Sequence, residues 1–118
     1  MNRFFIAAAL CIPAACAAGD PAAGRQAFAK CASCHQLGSP RSGFGPHLHG
    51  IVGRPAAAAT DFRYSEAMRG SGIVWTEDAL RAFLKAPGKV VPGNAMRFTG
   101  IGSDREIDDL LAYLRTTR

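Results

Sequence analysis

The chain has 118 residues, 48% of them hydrophobic and 19% charged, which limits it to a single globular domain. Its formal net charge is +5, from 14 Lys and Arg against 9 Asp and Glu, a balance that favours acidic partners or surfaces. The basic residues are scattered, with no dense Lys/Arg block, and this argues against nucleic-acid binding.

Residues 1–18 have the layout of a cleaved secretory signal peptide. Arg3 supplies a positive start, Phe4 to Ala18 carry no charge, and Ala15-Cys16-Ala17 offers an A-x-A pattern just before Gly19-Asp20. As a helix the uncharged run spans only ~22 Å, short of a ~30 Å hydrocarbon core. A lipoprotein signal ending at Cys16 is disfavoured by Pro13, which stands where such a signal wants an aliphatic residue. No later segment is apolar enough to span a membrane. The expectation is an exported, soluble domain over residues 19–118, periplasmic and monomeric.

A helix is expected next. Asp20 can cap it, Pro21 suits its first position, and Gly24, Phe28 and Cys31 fall on one face. The helix leads into Cys31-Ala32-Ser33-Cys34-His35. Of four cysteines, Cys11 and Cys16 leave with the signal, so Cys31 and Cys34 are those of the mature chain. Three chemistries compete for this cluster. A redox dithiol calls for a βαβ setting, which the sequence lacks, and gives His35 no purpose. A zinc site needs four ligands, and the nearby donors His47 and His49 sit at irregular spacing in a Gly/Pro-rich loop. Haem attachment uses all three residues. Cysteines at i and i+3 share a helical face, each thiol can add across a haem vinyl group, and the following histidine falls beneath the ring. Cys-x-x-Cys-His is the signature of c-type haem attachment.

Residues 36–75 are expected to be largely irregular, since LGSPRSGFGPHLHGIVGRP is dense in Gly and Pro. So long a loop in so small a domain makes sense if it wraps a bulky apolar cofactor. Two further helices follow. Thr76 caps one, with Glu77 and Asp78 in its first turn, Leu80, Phe83 and Leu84 on its buried face, and Pro87 as its stop. Ser103 and Glu106 form a capping box for the last helix, where Ile107, Leu110, Leu111 and Leu114 recur at helical spacing. No run alternates as a strand, so the fold class is all-α with long loops. Met68 and Met96 are the mature chain's methionines. Met96, in a loop after Pro92-Gly93, is either a soft haem ligand or a side chain packed on Phe98.

From Gly19 onward the chain resembles the class I monohaem cytochromes c, of the mitochondrial type and its bacterial relatives. The matches run in order through Gly24 and Phe28, Cys31 to His35, Gly45-Pro46-His47-Leu48-His49-Gly50, Gly53-Arg54, Tyr64, Gly72 to Trp75, Pro92 to Met96, and Leu110 to Leu114. The resemblance implies a small fold with its first and last helices packed together through Gly24, Phe28 and Tyr113. It implies one haem c, covalent through Cys31 and Cys34, with His35 and Met96 as axial ligands. By position, the Pro46 carbonyl accepts from His35, and Arg54, Tyr64 and Trp75 hold a haem propionate. The function implied is one-electron transfer between protein redox partners, not catalysis.

Two departures concern the ligand pocket. Phe83 stands where the mitochondrial type has a tyrosine bonded to the ligand sulfur, and Met68 replaces an asparagine of a buried polar network. If they loosen Met96, ligand-binding or peroxidase-like chemistry becomes open. Work as a haem subunit of a larger oxidoreductase is a further alternative. Of the lysines expected around the haem edge, Lys30 and Lys89 are present; Gln26, Gly88, Ala95, Gly102 and Ser103 take the other positions, with Arg97 in partial compensation.

Overall fold

The computed structural model describes residues 19–117; the signal segment expected over 1–18 lies outside them. Five α-helices occur among these residues: α1 (Pro21–Ala27), α2 (Glu66–Arg69), α3 (Glu77–Lys85), α4 (Pro87–Val90) and α5 (Asp104–Leu114). A 3-10 turn, Phe28–Lys30, prolongs α1. The all-α expectation holds. A single antiparallel bridge, Pro55 with Val74, is the extended pairing seen in the described residues.

The caps act as their sequences dictate. Asp20 accepts from the Ala22 amide, Thr76 from Ala79, and Ser103 from Glu106. The expected box at α5 is one-sided, because the Glu106 carboxylate turns away to pair with Lys30. Pro87 ends α3, as expected, and it also opens α4, where its missing N–H costs nothing. The short helices α2 and α4 lie where the sequence pattern shows no period.

The molecule is organised by the crossing of α1 on α5, the most extensive helix contact among the described residues. Ile107, Leu110, Leu111 and Leu114 form the inward face of α5, at most 3% exposed. Gly24 sits at the crossing, where a Cβ would stand 1.9 Å from the Asp109 carbonyl oxygen. The Asp20 amide donates to Asp109 Oδ1 at 2.8 Å, and the Phe28 and Tyr113 rings meet edge-on at 5.5 Å. This crossing fixes where α1 delivers Cys31.

Gly24→Ala should therefore force the two helices apart. The expected loss is about 3 kcal/mol, read from guanidinium unfolding of the haem-loaded protein against wild type. An unchanged midpoint would mean that the crossing tolerates separation.

Candidate functional site

The chain leaves the 3-10 turn at Cys31 and closes one more helical turn, with the Cys34 and His35 amides donating to the Cys31 carbonyl at 3.1 and 2.9 Å. The regular α-helix ends at Ala27, so a tight turn rather than a helix carries the motif. Its i, i+3 geometry still puts Cys31, half-buried, and Cys34, exposed, on the lining of one cavity. Burial pushes the Cys31 thiol up, and the Lys30 ammonium partly opposes it.

His35 enters the same cavity lining. Its Nδ1 donates to the Pro46 carbonyl at 2.7 Å, which leaves Nε2 as the nitrogen with a free lone pair. Burial draws the imidazole below its ordinary pKa, against the opposing effect of that bond, so the ring is neutral at pH 7. The approach of the Pro46 loop depends on Gly45, whose hypothetical Cβ would lie 2.8 Å from His35 Cε1. The Gly45 amide donates to the Cys34 carbonyl at 2.9 Å and ties this loop to the motif.

The cavity has a volume of about 540 Å3 and is walled mainly by apolar side chains. Phe28, Leu48, Ile51, Trp75, Leu80, Phe83, Leu84, Leu110 and Leu114 reach it from the 3-10 turn, α3, α5 and the loops between them. Met96 and Met68 line it too. Met96 is set by Asn94, which sequence reasoning gave no role. The Asn94 side-chain amide donates to the Val91 and Pro87 carbonyls at 2.9 and 3.2 Å, while its Oδ1 accepts from the Met96 amide at 2.9 Å. An Asx residue two places before a loop methionine was the available signal.

Arg54, Tyr64 and Trp75 also converge on the cavity. Reciprocal backbone bonds hold two of them side by side: Trp75 N–H donates to the Arg54 carbonyl and Gly53 N–H to the Trp75 carbonyl, at 2.9 and 2.7 Å. The Tyr64 hydroxyl accepts from the Ala59 amide at 3.1 Å and keeps its own proton to give. Arg54 Nε is buried with no partner among the described residues. A charged donor left open at an apolar wall calls for an anionic oxygen. His47 and His49, the candidate zinc donors, are engaged elsewhere, with Arg54 and with the Leu37 carbonyl.

Charge at this site has one sign. Lys30, Arg54 and Arg97 line the cavity, and no aspartate or glutamate does so among the described residues. On its rim stands Phe44, 91% exposed, in a turn closed by a Gly43-to-Gly45 backbone bond.

Comparison with known proteins agrees with this arrangement. The family model for cytochrome c matches residues 21–118. The chain is 47% identical over 100 residues to cytochrome c2 of Agrobacterium tumefaciens, covering 81% of this chain and 90% of that one. It is 43% identical over 99 residues to cytochrome c of Tetrahymena pyriformis, covering 83% and 89%. The solved structure of cytochrome cH from Methylobacterium extorquens superposes with a TM-score of 0.80 at 42% identity, covering 84% of this chain and all of that one. The chain belongs to the cytochrome c family.

The family's cofactor is one covalent haem c, and the residues in place fit it. Two thiols three residues apart stand on the lining of a large apolar cavity, and an unpartnered guanidinium nitrogen suits a carboxylate of the group. Cys31→Ala combined with Cys34→Ala should abolish covalent haem and leave the chain largely unfolded, as far-ultraviolet circular dichroism and a haem stain of a denaturing gel would show. A stable, haem-free fold would contradict this view of the core.

Proposed function

We propose that the protein is a soluble one-electron carrier of the periplasm, with His35 and Met96 as the axial ligands of its haem. The observation that carries this reading is that one cavity gathers both side chains together with Cys31 and Cys34. When bound, the haem supplies a reversible one-electron iron couple.

The chain's own groups prepare each side of that couple. His35 offers Nε2 in a fixed tautomer, since Pro46 holds its other nitrogen. Met96 offers a neutral, soft thioether that favours the reduced state, and Asn94 holds its loop in place. Phe83 is 7% exposed and packs against Trp75 with the rings tilted by 59° and their centroids 5.0 Å apart, so this part of the cavity wall is aromatic. Arg54, Tyr64 and Trp75 serve as donors to a haem carboxylate. Nothing in this role requires a nucleophile or a general base at the cavity, and the protein is not an enzyme on this reading.

Electrons enter and leave through protein partners with acidic docking surfaces. The exposed Arg97 and Lys89 and the partly neutralised Lys30, paired with Glu106, supply the attraction. Over such surfaces the attraction is screened within ~8 Å at physiological ionic strength, so it steers encounters more than it holds them. No helix among the described residues is long and apolar enough to cross a membrane. The protein acts as a monomer, exported by its first 18 residues.

A second reading has one observation behind it. Phe83 carries no hydroxyl to support the Met96 sulfur, which favours ligand-binding or peroxidase-like chemistry if Met96 is labile. Met96→Ala separates the two. On the carrier reading the variant keeps covalent haem, its reduction potential falls, and the ferrous form binds carbon monoxide quickly while wild type does not. An unchanged potential would remove Met96 as the ligand, and rapid binding by wild type would favour the second reading.

A further inference from the structure

Behind Arg54 stands a histidine that the carrier reading leaves without a role. Arg54 Nη1 lies 3.2 Å from His47 Nδ1 and also donates to the His49 carbonyl at 3.2 Å, while Nη2 donates to the His47 carbonyl at 2.8 Å. A guanidinium has donors only and does not give up its proton at accessible pH. The Nη1–Nδ1 bond therefore requires His47 to be neutral with its proton on Nε2. A protonated His47 has two N–H groups and no acceptor, so it faces the guanidinium as a second cation.

We propose that His47 is a proton-linked positioning residue for Arg54, through which pH sets the charge at the cavity and hence the reduction potential. The proposal rests on the reading of the protein as a haem electron carrier with Arg54 at the cofactor. The backbone around His47 is anchored, so protonation alters its ring contact more than its place. Its amide donates to Ser42 Oγ at 3.0 Å, and Ser42 in turn bonds both oxygens of Asp61, at 2.8 and 2.6 Å. The two carbonyls that hold Arg54 survive protonation, so the guanidinium stays and the site gains one positive charge.

The charged and titratable groups facing His47 are Arg54, His49 and Asp61. Burial first, then Arg54 and His49, lower its proton affinity, and Asp61 raises it; the balance lies below the ordinary imidazole value. Its titration falls on the acid side of neutrality. Protonated His47 favours the form of the cofactor with one less positive charge, so the potential is higher at acid pH and falls as pH rises. Reciprocally, when a partner donates one electron, His47 takes up a fraction of a proton from solvent. Its proton affinity should be about twofold higher in the reduced protein, as expected for two charges separated by a partly solvated protein.

The test is spectroelectrochemistry of the haem-loaded protein across about pH 5 to 8, where imidazoles titrate, together with nitrogen-15 NMR titration of the His47 ring in both redox states. In wild type the potential should fall with pH on the acid side and then level. His47→Gln keeps a side-chain acceptor for Arg54 and cannot titrate, so its profile should be flat at the wild-type alkaline level. A flat wild-type profile, or a slope retained in His47→Gln, would overturn the proposal while leaving the carrier reading intact. Absence of any reversible one-electron couple would instead overturn the carrier reading, and this proposal with it. If His47→Gln does not fold, the ring titration of wild type decides: equal affinity in the two redox states refutes the linkage, and tighter binding in the reduced state supports it.

Discussion

The bond from His35 Nδ1 to the Pro46 carbonyl is the interaction on which the remainder of the site depends. It joins the end of the first helical segment to a loop eleven residues later, and it decides which imidazole nitrogen keeps a lone pair. It can form only because Gly45 lacks a Cβ, since any side chain there would press on the ring. The histidine's position traces back to the Gly24 crossing, which sets α1 against α5 and so fixes the turn from Cys31 to His35. Packing at the helix crossing thus bears on where His35 stands in the cavity lining.

Around this bond the cavity is apolar over most of its lining and polar at one wall. Desolvation keeps His35 neutral, and the open Arg54 donor marks where negative charge is stabilised. Asn94 ties the Met96 amide to the Pro87 and Val91 carbonyls, at the first residue of α4 and the residue just after it, and so holds the loop that carries Met96. On the proposed reading, such a lining suits a one-unit change of charge better than bond making. The cationic lining and the exposed Phe44 put both charge and apolar contact at the surface through which a partner would approach.

Local signals were enough for the parts of the fold that local physics determines. Caps at Asp20, Thr76 and Ser103 and the four-residue face of α5 are legible because each is a short-range pattern with a direct cause. Helices α2 and α4 span four residues each, too short to show a period, and Pro87 reads as a stop although it also begins a turn. The capping box at Ser103 suggests that Glu106 folds back on its own helix, whereas the long-range pull of Lys30 prevails. At the site, Cys31, Cys34 and His35 announce themselves by spacing. Arg54, Tyr64 and Trp75 do not, because their convergence depends on loops that only the assembled fold brings together. The contact between Arg54 and His47, seven residues apart in an irregular segment, leaves no trace in the sequence at all.

The proposed function stands or falls with Met96 as the second haem ligand beside His35. The near-infrared absorption of the oxidised, haem-loaded protein tests it most directly, because a thioether on ferric iron gives a weak sulfur-to-iron charge-transfer band. With Met96 as ligand, the band is expected in wild type near neutral pH and is lost in Met96→Ala. A wild-type protein without the band would contradict His/Met ligation and shift the reading toward an open, ligand-binding haem.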